Sequence, residues 1–302
     1  MRTYCSPLTT DRSGVEAQQN ASPGLRKLGF WGVLTLAICV ATPVGHAAAG
    51  DPPAVPLIFA GSGTNLEITR LLAKAFERVR PDIRIEIPGS LGSAGGISAV
   101  REGAIAVGLA ARPLNGTERE WGLTVLPYAR TAIVFAAHQT VGIDDVTTDD
   151  VVQIYAGAKT QWRDGHPIAV LSRQAGDSSL EVLEREIPHF KDAYRASAQA
   201  NRWAVFYTDQ DMSQALGRTP YSIGMAALGV VRSEKLPVRA LKFNGVSPSP
   251  ENIRSGRYPL VNGLSFVYRK DALPAGAVTF LAFIRSKEGE RVLRANGFLP
   301  GE

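Results

Sequence analysis

Cysteine is nearly absent: the 302-residue chain has two, Cys5 and Cys39. Both precede residue 50, so the rest of the chain can build neither a disulfide scaffold nor a thiolate zinc site. Histidine is also sparse. His138, His166 and His189 lie far apart with no H-x-x-x-H spacing, so no metal site is expected. No G-x-x-x-x-G-K-[ST] loop, G-x-G-x-x-G fingerprint or G-x-S-x-G elbow occurs, so nucleotide, dinucleotide and serine-hydrolase chemistry have no motif to stand on. No cofactor is expected. Long apolar runs are scarce as well: only Leu28 to Val44 is apolar and charge-free over a membrane-like length, which excludes a multispan membrane protein.

What remains is ordinary globular composition, 45% hydrophobic and 20% charged. The length suggests two domains. Arg26 and Lys27 precede the apolar run, and Ala47 to Ala49 follow it. A basic flank, an apolar stretch and a small-residue site read as a signal peptide over residues 1–49, cut after Ala49, which would place the mature chain in the periplasm. A membrane anchor is the alternative; Pro43 and the alanine site weigh against it. Ile38 before Cys39 weighs against lipid attachment. Residues 1–49 hold four basic and two acidic residues, leaving 29 and 26 and a net charge of +3. So small a surplus, with charges interspersed, argues against nucleic acid and mildly favours an anionic small ligand.

Beyond residue 50, short apolar runs alternate with amphipathic periods. Val55 to Ala60 reads as a strand. Ile68, Leu71, Leu72, Ala75, Phe76 and Val79 form one face of a helix, and Ile83, Ile85 and Ile87 alternate as a second strand. Ile105 to Leu109 and Ile168 to Ser172 read as further strands. Leu123 to Ala137 is a long apolar stretch broken at Pro127, Thr148 reads as the cap of a helix, and 277–293 reads as one terminal helix. Strand and helix in alternation predict an α/β fold with mainly parallel sheets flanked by helices.

Three turns share a composition. Gly61 to Asn65, Gly89 to Gly96 and Arg173 to Ser179 each follow a strand and open a helix. A helix start leaves backbone N–H groups unpaired and carries about half a positive charge. Glycine admits close backbone approach, and hydroxyls add donors. In a parallel sheet such turns gather at the carboxyl ends of the strands. Together they would surround a small oxyanion, with Arg173 as the fixed positive charge. Each turn alone is more often a helix cap than a ligand contact, and Arg173 alone is more often a surface ion pair.

The segments GSGTNLEITRLLAKAF, GSLGSAGGISAV, VGLAARPL, TTDDVVQIYAGAKTQWRDG, SRQAGDSSLEVL and SGRYPLVNGLSFVY resemble, in this order, the phosphate-binding proteins of bacterial phosphate ABC importers. FLAFIRSKEGERVLRANGFLP resembles that family's C-terminal helix. The resemblance implies a two-lobed periplasmic solute-binding fold, with residues 50–129 and 248–302 in one lobe and 130–247 in the other. It further implies a non-enzymatic monomer that serves a membrane permease. Its ligand loops fall on Ser62, Gly63 and Thr64, on Ser93, Ala94 and Gly95, and on Arg173, Ser178 and Ser179.

Two positions depart from the family pattern. Ala111 stands where the family often has Asp or Ser, and Asp177 where it usually has serine. Phosphate at neutral pH keeps a proton that needs an acceptor, whereas sulfate has none. Three roles therefore stay open for Asp177: acceptor for that proton, N-cap of the following helix, or a carboxylate that neutralises Arg173. The ligand alternatives are molybdate, tungstate, sulfate or a phosphonate. The rival from another class is an extracytoplasmic phosphoester hydrolase.

Overall fold

Each switch of the apolar period from two to 3.6 residues becomes a strand-to-helix turn in the computed structural model, which describes residues 56–301. The chain begins with β1 (Leu57–Gly61), α1 (Gly63–Glu77), β2 (Ile85–Glu86), α2 (Gly92–Arg101), β3 (Val107–Ala110), α3 (Gly116–Arg119) and β4 (Thr124–His138). It continues through β5 (Asp145–Val146), α4 (Thr148–Ala156), β6 (Ala169–Arg173), α5 (Ser178–Glu186), α6 (Phe190–Gln199), β7 (Ala204–Phe206), α7 (Asp209–Arg218) and β8 (Ser222–Ala227). It closes with α8 (Leu228–Ser233), β9 (Val238–Ala240), β10 (Lys242–Phe243), α9 (Pro250–Arg254), β11 (Val261–Tyr268), α10 (Ala275–Ile284), α11 (Lys287–Ala295) and β12 (Leu299–Pro300). The expected signal peptide over 1–49 lies outside the described residues. Among the described residues, no helix is long and apolar enough to cross a membrane.

Eight strands line up as β2-β1-β3-β11-β4-β8-β6-β7, and β9 and β12 add to β4. The ends of the sheet are parallel, as the alternation predicts: β1 with β2 and β3, and β6 with β7 and β8. The centre adds antiparallel pairs, β11 with β3 and β4, and β4 with β8. The stretch expected to break at Pro127 is instead one 15-residue strand. Proline has no N–H to give the ladder, and the register shifts opposite it, between Leu264 and Ser265, so the strand accommodates Pro127 without ending.

Two smaller expectations also shift. The helix read from Thr148 is capped one residue earlier, by Thr147 in a reciprocal capping box with Asp150. The single terminal helix is two, because the Ser286 hydroxyl accepts from the Gly289 N–H and starts α11 afresh.

Buried side chains divide between two main cores. One gathers Phe59, Leu66, Leu72, Phe76, Leu109, Phe266 and Phe280. The other gathers Phe135, Ile154, Tyr155, Leu183, Phe190, Ile223 and Met225. Each of these fully buried side chains stabilises by about 2 kcal/mol through lost apolar exposure. β4 feeds both cores, with Tyr128 and Ala129 in the first and Ala132 to Ala137 in the second. Ile253, Tyr258 and Leu260, placed after residue 248 in the first lobe by the sequence reading, pack in the second core. The return runs along β11, where Leu264 and Phe266 rejoin the first core.

Candidate functional site

The first turn starts at Gly61, whose φ of 150° and contact with the Leu109 backbone leave no room for a Cβ. Only glycine lets β1 lie this close to β3 and still turn into α1. Ser62 then takes the N-cap position, buried and extended, yet its hydroxyl makes no capping hydrogen bond. That separates it from an ordinary cap and leaves the hydroxyl for another partner. A Cβ on Gly63 would lie 2.4 Å from Asp209 Oδ2. The Thr64 hydroxyl donates to Asp209 Oδ1 at 3.3 Å.

The second turn is tied to the first through one carbonyl. Leu91 N–H and the Ser90 hydroxyl both donate to Gly61 O, at 3.0 and 3.2 Å. Ser93, Ala94 and Gly95 form the first turn of α2. Ser93 is half-buried, and its hydroxyl accepts from the Ala111 N–H at 3.1 Å, so its own proton remains to be donated. Ala94 is exposed.

The third turn carries the charge. Arg173 ends β6 with its side chain 4% exposed, and its backbone N–H donates to the Tyr194 hydroxyl at 2.7 Å. Its Nη2 donates to Asp177 Oδ2 at 2.5 Å and lies 3.6 Å from Asp209 Oδ2. Its Nη1 is buried without a hydrogen-bond partner among the described residues. A buried donor left open is costly, and more so on a charged group. Burial works against the charge, but Asp209 and Asp177 outweigh it and raise the Arg173 pKa.

Asp177 is the N-cap of α5. Its Oδ1 accepts from Ser179 N–H at 3.0 Å and Leu180 N–H at 3.1 Å, while Oδ2 accepts from Arg173. Two of the three open roles, cap and partner of Arg173, are thus filled at once. Three of the carboxylate's four lone-pair positions are taken, and little is left for a ligand proton. Ser178 and Ser179 are buried in the first turn of α5.

The sequence reading missed Asp209. It opens α7 after the Thr208 cap, on the turn from β7. That turn reads VFYTDQD, with neither the glycine nor the serine used to recognise the other three. The available signal was position alone, a fourth strand followed by a capped helix. Burial pushes the Asp209 carboxyl up to about 6; Arg173 pulls it down, Asp177 pushes it up, and the Thr64 hydrogen bond lowers it. Hydroxyls, a buried guanidinium with an open nitrogen and a carboxylate near neutrality suit a small oxyanion that brings its own proton. Among the described residues, no three acidic, histidine or cysteine side chains cluster to hold a metal.

Similarity to known proteins fits this geometry. Residues 46–288 match the PBP superfamily domain. The chain is 22% identical over 252 residues to the phosphate-binding protein PstS of Bacillus subtilis, covering 81% of this chain and 80% of that one. It is 24% identical over 217 residues to the phosphate-binding protein PstS of Borreliella burgdorferi, covering 69% and 77%. Among solved structures, a putative phosphate ABC transporter substrate-binding protein with bound phosphate from Clostridium perfringens superimposes with a TM-score of 0.72 at 25% identity, over 82% of this chain and 100% of that one. An ABC-type phosphate transport receptor from Vibrio cholerae shares the fold, with a TM-score of 0.58 at 20% identity over 80% and 99% of the two chains. With the family model spanning most of its length, the chain belongs to the PBP superfamily.

Proposed function

We propose that the protein captures inorganic phosphate outside the cytoplasm and hands it to the membrane permease of an ABC importer. The observation that carries the reading is Arg173: a guanidinium buried at the end of β6, one nitrogen on Asp177 and the other open. The names of the relatives above support phosphate as the anion.

In this reading the first core and the second core belong to two lobes, joined by β4 and β11, that close over the ligand. Ser62, Gly63 and Thr64 with Ser93 and Gly95 line one side. Arg173, Ser178 and Ser179 line the other. Nothing covalent happens; binding energy comes from charge-assisted hydrogen bonds in a buried site.

The proton acceptor is Asp209. With Asp177 committed to α5 and Arg173, Asp209 is the carboxylate beside the guanidinium whose pKa places it ionised at neutral pH and able to accept from phosphate. Sulfate, lacking a proton, meets it as an uncompensated negative charge.

Titration calorimetry with phosphate, followed by competition with sulfate, molybdate, tungstate and a phosphonate, tests the reading. Tight 1:1 phosphate binding and weak competition are expected; preference for another anion overturns it. Turnover of a chromogenic phosphoester would instead favour a hydrolase.

A further inference from the structure

β4 and β11 pair over eight residues at the centre of the sheet. One face of the pair, carrying Tyr128, Leu264 and Phe266, is sealed in the first core. The opposite face forms the floor of a cavity of ≈ 730 Å³, with Val125, Pro127, Val261 and Gly263 in its lining. That volume lies in the range of organic-ligand sites and is far larger than a four-oxygen anion needs. The cavity shares no lining residue with the site around Arg173. Gly263 contributes to the opening, since a Cβ built there meets no atom within 4 Å.

The rim has one sign of charge. Arg112, Arg130 and Arg185 line the cavity, and no acidic residue does. Arg112 is committed, with both its terminal nitrogens on the buried Glu118 carboxylate at 2.7 and 2.8 Å. Arg185 is mostly exposed and, among the described residues, bonded only to its sequence neighbour Glu186, a surface pair of small worth. Arg130 is exposed and forms no ion pair among the described residues. Apolar strand residues below two available guanidiniums match a ligand with an apolar body and an acidic head.

We propose that the face of the β4–β11 pair walled by Arg112, Arg130 and Arg185 is a second binding site, for an amphipathic organic anion. This goes beyond phosphate capture and does not rest on it.

The test uses 8-anilinonaphthalene-1-sulfonate as the probe, followed by fluorescence, with octanoate and 1-octanol as competitors. Saturable binding at one site is expected, displaced by octanoate and far less by the uncharged alcohol. The Arg130→Ala/Arg185→Ala protein should bind the probe about tenfold more weakly, the worth of two partly screened charge contacts. Gly263→Phe should block the site by filling the floor, while the far-ultraviolet circular dichroism and thermal melting of both variants stay at the wild-type values and show that they are folded. Probe binding that fails to saturate, that both variants retain in full, or that 1-octanol displaces as well as octanoate overturns the proposal.

Discussion

The two sides of the candidate site are built from the same local device and differ in charge. On the β1 and α2 side, Ser62 and Ser93 offer hydroxyls while Thr64 gives its hydroxyl proton to Asp209, and all three side chains are neutral. On the β6 and β7 side, Arg173, Asp177 and Asp209 concentrate one cation and two carboxylates in a buried space. Neutral donors fix where oxygen atoms sit but barely distinguish one tetrahedral oxyanion from another. The charged side can distinguish them, because a buried carboxylate rewards a ligand that carries a proton and penalises one that does not. In the proposed reading this is a division of labour: shape from one side, discrimination from the other.

The strongest way to break this comparison is Arg173→Ala. It removes the cation and leaves Asp177 and Asp209 facing each other, so phosphate affinity should fall about a thousandfold in calorimetry, in line with truncating a buried charge pair. A loss no larger than that of Ser93→Ala would erase the distinction between the sides.

Asp209→Asn sharpens it. Phosphate-over-sulfate preference should drop by about 10- to 100-fold, read by competition, since the amide no longer repels sulfate. The same preference in the wild type should decline as pH falls through about 6, where Asp209 takes up its own proton. Stability should move the other way. The folded-state pKa of Asp209 is raised above its unfolded value of 3.8, so the folded protein holds the proton more tightly. Stability from this group is therefore full at low pH and lost as pH rises from about 4 through 6. In ligand-free protein, Asp209→Asn should raise stability at pH 7.5 by on the order of 2 kcal/mol and change it little at pH 4, by thermal denaturation. An unchanged melting temperature at both pH values would contradict the burial of that carboxylate.

Gly63→Ala probes the seam between the sides. The new Cβ would fall 2.4 Å from Asp209 Oδ2, so the carboxylate must move. We expect phosphate affinity to drop about tenfold, the effect of a displaced hydrogen-bonding partner. Ser93→Ala, on the neutral side, should cost only severalfold, the net worth of one hydroxyl donor.

Much of this was legible in the chain. The alternation of apolar periods predicts an α/β fold with parallel pairings, and the three Gly/Ser turns find Ser62, Thr64, Ser93, Arg173, Ser178 and Ser179 at helix starts. These are local signals, set by φ freedom at Gly61, by capping and by side-chain period. Asp177 was legible as a residue but not as a role, because choosing between cap, ion pair and acceptor requires knowing what its second oxygen touches.

Asp209 was legible only as a position, the start of a capped helix after a fourth strand. An acid in the first turn of a helix is ordinary sequence, and nothing within VFYTDQD announces that it meets Thr64, 145 residues away, or Arg173. The same holds for β4, whose sequence shows a strand but not that its halves serve two cores. The sequence by itself determined the strand–helix alternation, the glycine turns and the lone guanidinium among hydroxyls, since these rest on contacts between near neighbours. Only the tertiary structure decided that Asp209 joins Asp177 beside that guanidinium, because burial and long-range proximity set its pKa and its partners.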